Sequence, residues 1–152
     1  VATRVNILRP LLVAVAVVGL MSACVGPARN SDNYHGDASA AVKSGLSEAL
    51  TARLIIDQFL DHHATGEYSD VVLTDSETAL GPIQDSFGSR QPDSPSDDDV
   101  RDKVLSMLGD EQDALAHARI AVRRADGPGL RQADSDLADV VAQLTKAQVS
   151  LG

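Results

Sequence analysis

DDDVRDKVLSMLGDEQDALAHARIAVRRA, residues 97–125, is the stretch that decides the fold. Its apolar positions Val100, Val104, Leu108, Leu115, Ala118 and Val122 recur at intervals of three and four, the period of one helical face. The spacing predicts a helix over the whole stretch, with Gly109 as its one weak interior point. Ser96 is the expected N-cap, and Asp97, Asp98 and Asp99 put negative charge in the first turn. Arg119, Arg123 and Arg124 put positive charge in the last turns, which complements the helix dipole at both ends. The same Asp-rich run fails as a calcium loop. Counted from Asp93, Asp98 stands where the sixth-position glycine is required and Val104 where the twelfth-position glutamate is required.

Working outward, Asp126, Gly127, Pro128 and Gly129 make a tight connection. Leu130, Ala133, Leu137, Val140, Val141, Leu144 and Leu151 then form a further helical face. Upstream, Gly88 to Pro95 is rich in glycine, proline and serine and reads as the longest internal loop. Before it, Tyr68, Val72, Ala79, Leu80, Ile83 and Phe87 predict a helix. A kink or break is expected within it at Gly81-Pro82, because Pro82 cannot donate to the carbonyl of Thr78. Earlier still, Val42, Leu46, Ala49, Leu50, Leu54, Ile56 and Leu60 predict a helix with Ser39 as its N-cap. Four helices of similar length, joined by short links and each carrying one apolar stripe, bury those stripes as an up-down-up-down bundle over residues 39–152. The fold class is therefore all-α.

The first 24 residues have a different organisation. Arg4 and Arg9 form a basic segment, Leu11 to Leu20 is apolar apart from Gly19, and the small residues Ser22 and Ala23 precede Cys24. This is the order of a secretory leader. The apolar run of about 13 residues reaches only roughly 20 Å as a helix, against a hydrocarbon core of about 30 Å. Leu20, Met21, Ser22, Ala23 and Cys24 resemble the lipobox of bacterial lipoproteins, with Met21 where the class usually has leucine. The resemblance implies cleavage after Ala23, a diacylglycerol on the sulfur of Cys24 and an anchor on the extracytoplasmic face of the cell membrane. Ten of the 13 basic residues are arginine, and Ala, Val, Asp and Gly are abundant. This bias resembles that of GC-rich bacteria such as actinobacteria. A single cysteine permits no disulfide within the chain. Residues 24–38, with Gly26, Pro27, Asn30, Ser31, Asp32, Asn33 and Gly36, read as the lipidated cysteine and a flexible tether.

Charge and composition restrict the partners. Thirteen basic against 22 acidic residues give a net charge of −9. Loss of Arg4 and Arg9 with residues 1–23 leaves 11 against 22, or −11. That sign opposes phosphate binding, and four aromatic residues with no tryptophan offer little for bases to stack on. Nucleic acid is excluded as an expected partner. The expected partners are the membrane, through the lipid, and another envelope protein.

Candidate sites are few. His62 and His63 close the first helix, and His117 follows Asp113 by four residues on one face. These are the candidates for a metal or small-ligand site, with Glu67 or Asp126 near the first pair. Their other reading is solvated histidines at a helix end and a surface hydrogen bond. The Glu-x-x-His pairs of di-iron bundles are absent, as are a nucleophile elbow and a phosphate-binding glycine loop. Phe87 and Arg90, in the stretch Ser86 to Pro92, are the candidate partner-contact residues, the other reading being a helix end with Phe87 plugging the bundle. The expectation is a non-enzymatic lipoprotein that needs no cofactor beyond its covalent lipid. The alternative is an extracytoplasmic metal or small-ligand binder, and a hydrolase is the third reading.

Overall fold

The computed structural model describes residues 31–151. The leader, the lipobox and Cys24 lie outside the described residues. Four helices follow in order: α1 Ser31–Leu60, α2 Gly66–Gly88, α3 Pro95–Arg123 and α4 Gly127–Leu151. No strand occurs among the described residues. Each helix is antiparallel to the next, and α4 closes the ring against α1, which makes an up-down-up-down four-helix bundle. Across the diagonal, α1 also packs on α3, whereas α2 and α4 do not meet.

That unequal diagonal has a local cause. Gly45 of α1 faces α3, and a Cβ added there would lie 2.5 Å from Leu108 Cδ2 and 2.8 Å from Glu111 Oε2. Only a residue without a side chain lets the two helices come this close. The core around this contact is aliphatic: Val42, Ile56, Leu73, Leu80, Leu108, Leu115, Leu130, Leu137 and Leu144 are fully or almost fully buried. Alanines fill the tighter places, among them Ala38, Ala49, Ala52 and Ala118.

Helix α1 departs from the expected tether and cap. It begins at Ser31 rather than near Ser39, so residues 31–38 are helical. The reason is tertiary. Tyr34 and Ala38 are buried in the core, with the Tyr34 ring tilted on Phe87 at 5.5 Å between centroids. Ser31 and His35 bind Asp97 of α3. Apolar burial and these side-chain bonds outweigh the weak local propensity of a stretch holding Asp32, Asn33 and Gly36.

Three further expectations change. Helix α2 is unbroken across Gly81 and Pro82. Leu80 and Phe87, buried on either side, hold it, as does the Gln84 amide, which donates to the Leu108 carbonyl and to Gln112 Oε1, both at 3.0 Å. The N-cap of α3 is Ser94, whose Oγ accepts from the Asp97 amide at 3.2 Å, with Pro95 opening the helix. Leu50 and Leu54 lie half or more exposed on the outer side of α1, and Tyr68 is exposed on α2. The inward positions are Ala52, Ile55 and Leu73 instead.

Gly45→Val should force Leu108 and Glu111 aside and cost about 1–3 kcal/mol, the usual penalty for overpacking a core. Urea denaturation of variant and parent measures it, and an unchanged midpoint would show that the diagonal contact does not depend on a missing side chain.

Candidate functional site

The lower end of the bundle, where α1 begins and α2 runs into α3, gathers most of the polar chemistry. Asp97, in the first turn of α3, is fully buried rather than solvated. Its Oδ2 accepts from Ser31 Oγ and Ser94 Oγ, each at 2.9 Å, and its Oδ1 from His35 Nε2 at 3.2 Å. A carboxylate only accepts, so Nε2 carries the proton. Burial pushes the Asp97 carboxyl up, but the bonds from Ser94, Ser31 and His35 together with the His35 charge more than offset this and hold it below the usual range. Its contribution to stability is therefore present above about pH 4 and is lost as pH falls through the depressed value.

Serine, histidine and aspartate thus meet in space, and their order settles what they do. In a nucleophilic triad the hydroxyl bonds to the imidazole, which the carboxylate orients. Here both hydroxyls and the imidazole converge on the carboxylate. Among the described residues no serine bonds to His35, and the cluster clamps the first turn of α1 onto the start of α3.

Beside this clamp a groove runs between α1 and α2, lined by Ala40, Ala41, Ser44, Pro82, Ile83 and Ser86. Arg90 Nε pairs with Asp37 Oδ2 at 3.3 Å at its lower edge. Of the two candidate contact residues, Arg90 is on the surface. Phe87 is not: only 2% of it is exposed and its ring packs on Tyr34, so it is a core residue that closes the bundle end. An aromatic at the last turn of an amphipathic helix reads equally as a plug or a contact, and Tyr34, its partner, lies where the sequence shows no apolar period.

The metal candidates separate. His62 and His63 are exposed at the upper end of α1, in the turn that stops the helix. His62 takes a left-handed conformation at φ 61°, its amide bonds to the Phe59 carbonyl at 3.1 Å, and the His63 amide bonds to the Gln58 carbonyl at 2.8 Å. This is a Schellman stop, and Ala125, at φ 50°, stops α3 in the same way. Asp113 and His117 line one groove between α3 and α4, with no hydrogen bond between them. Among the described residues no three His, Cys, Asp or Glu side chains converge as metal ligands.

Glu111 is the one functional-looking residue that sequence reasoning missed. It sits at the α1–α3 contact beside Gly45, fully buried, and neither carboxyl oxygen has a hydrogen-bond partner. Burial, reinforced by the charge of Glu48, pushes its carboxyl up to about 8, and the nearby Ala49 amide, which makes no hydrogen bond to it, offsets only a part. At neutral pH Glu111 is therefore protonated and uncharged. A shift of this size marks a group for scrutiny as a functional acid. Glu111 lines neither the α1–α2 groove nor the α3–α4 groove, however, so no route leads from it to a substrate in these places. Position 111 falls three residues after Leu108 and four before Leu115, on the same core face, a signal that a pattern of apolar residues alone passes over because glutamate is polar.

Three arginines tie neighbouring helices together. Arg53 pairs with Asp134 across α1 and α4 at 2.9 Å, Arg119 with Glu77 across α3 and α2 at 2.7 Å, and Arg123 with Asp70 at 2.7 Å. The bond from Arg123 holds the Asp70 carboxyl below its usual range. Two of the three arginines expected to serve the α3 dipole, Arg119 and Arg123, thus join α3 to α2. Compared with family models, curated proteins and solved structures, the chain finds no match.

Because the folded chain keeps the Glu111 proton to about pH 8 and an unfolded carboxyl at 4.5 does not, unfolding releases a proton throughout that window. Stability therefore falls as pH rises from 4.5 to about 8, by on the order of 4–5 kcal/mol at 1.36 kcal/mol per pKa unit. Glu111→Gln should flatten that slope in urea melts taken across the window, and a slope equal to that of the parent would mean Glu111 ionises freely.

Proposed function

We propose that this chain is an extracytoplasmic lipoprotein, held at the cell membrane by lipid on Cys24, whose bundle binds another envelope protein without catalysing a reaction. The observation that carries the anchor is the order of basic segment, short apolar run, Ser22-Ala23 and Cys24. No helix among the described residues is long and apolar enough to cross a membrane. Six residues separate Cys24 from Ser31, and the seven Cα–Cα steps reach at most about 25 Å when extended, so a lipid on Cys24 would keep the lower end of the bundle near the head groups. That end carries Asp93, Asp98, Asp99 and Asp102, which anionic lipid repels within a Debye length of about 8 Å.

The binding role rests on the α1–α2 groove. Ala40, Ala41 and Ser44 are small, which lets a partner helix or strand approach closely, while Ile83 gives apolar contact and Arg90 a cation at the rim. Ser31, Ser94 and His35 near it are engaged by Asp97, which takes away the nearest catalytic use of the same end.

Radiolabelled palmitate should enter the parent chain and not Cys24→Ala, which should leave the membrane fraction. Equal labelling of both would overturn the anchor. A photoreactive residue replacing Ser86, in the groove, should cross-link one envelope protein in intact cells, whereas the same probe replacing Ser47, on the outer side of α1, should not. Equal cross-linking at the two places would overturn the groove as the contact.

A further inference from the structure

The helices α3 and α4 meet along an outward-facing groove whose charges are sorted by height. Its lower part is flanked by Lys103 and Lys146 over a floor of Met107 and Ala147. Two helical turns further up, Asp110, Asp113, Asp136 and Asp139 line the same groove. The spacing is the same on both helices, seven residues from Lys103 to Asp110 on α3 and seven from Asp139 to Lys146 on α4. Seven residues return to one face, and the helices are antiparallel, so both lysines lie at one level and the carboxylates at another.

These charges are unpaired among the described residues. Five of the seven arginines among the described residues form ion pairs, but none of the three lysines does. Asp110, Asp113 and Asp139 have no ion pair with a described residue, and Asp136 accepts only from the Gln132 amide. Aspartates three apart on each helix, 110 with 113 and 136 with 139, repel one another. Sorted, unpaired and opposite charges at adjacent levels have one simple complement, the same surface turned end for end.

We propose that a second copy of this chain docks on the α3–α4 groove, related by a two-fold axis perpendicular to the bundle and passing near Ser106 and Gln143. The rotation sets the lysine level of each copy against the carboxylate level of the other, twice, as an isologous interface requires. The floor is apolar and its residues are small or nearly buried, Met107 and Ala147 among them, so two such grooves meet closely, while the rim is held by Lys–Asp pairs. A body with a large negative charge repels its copies through other faces, so the two lysines select this one. The surface is distinct from the α1–α2 groove, and the inference requires neither the lipid nor the envelope partner.

Sedimentation of the full chain in mild detergent should show a dimer at low salt that dissociates as salt is raised. Lys103→Glu with Lys146→Glu should weaken self-association at least roughly tenfold, and so should Asp110→Lys with Asp139→Lys. An equimolar mixture of the two reversed chains should pair again. Circular dichroism checks that both remain helical. If either unfolds, carbodiimide coupling of an isotope-mixed parent chain replaces the reversal, and links from Lys103 or Lys146 of one copy to Asp110, Asp113 or Asp139 of the other are expected. A monomer at every concentration and salt, a dimer indifferent to both reversals, a mixture that stays apart, or coupling confined to single copies would each overturn the proposal.

Discussion

The close approach of α1 to α3 at Gly45 organises this bundle. With no side chain at that position, two helices on a diagonal touch, and the other pair, α2 and α4, is kept apart. Helix α1 therefore packs on all three others, and its 30 residues are the spine against which the chain folds. The same approach leaves no room for water at Glu111. A carboxyl that would be unremarkable on a helix surface is stripped of solvent and of partners, and it answers by keeping its proton.

Two buried carboxyls thus exist in opposite states for one physical reason. Asp97 is covered but receives bonds from two hydroxyls and an imidazole, and its charge is stabilised. Glu111 is covered and receives none, and its charge is suppressed. Burial alone predicts neither outcome; the donors around the oxygen atoms decide it. The Asp97 cluster also illustrates how serine, histidine and aspartate in proximity can make a fastening rather than a nucleophile. Its donors all point at the acid, so the imidazole has no hydroxyl to activate.

The helices were legible from apolar spacing because a face of period 3.6 has to be buried somewhere, and the turns because glycine, proline and aspartate mark them. Val104, Leu108, Leu115, Ala118 and Val122 of α3 all reach the core, as does Leu130, Ala133, Leu137, Val140 and Leu144 of α4. On α1 the same reasoning picked Leu50 over Ala52 because a large aliphatic outweighs alanine in a pattern, and Leu54 over its neighbour Ile55, two aliphatics of equal size between which only the packing of the helix chooses. On α1 many of the inward places go to alanine and glycine, among them Ala38, Gly45, Ala49 and Ala52. The α3 cap was readable in principle. Proline favours the first helical position, so Pro95 points back to Ser94.

The sequence by itself determined the helical class, the number of helices and their order, since these follow from local periodicity and chain breakers. Tertiary structure alone decided where α1 starts, that Phe87 is core while Arg90 is surface, that His62, His63 and His117 join no three-ligand metal group among the described residues, and that Glu111 is neutral. Each of those depends on which face of one helix meets which face of another, and that choice is made by side chains far apart in the chain: Tyr34 with Phe87, Ser31 with Asp97, Gly45 with Glu111.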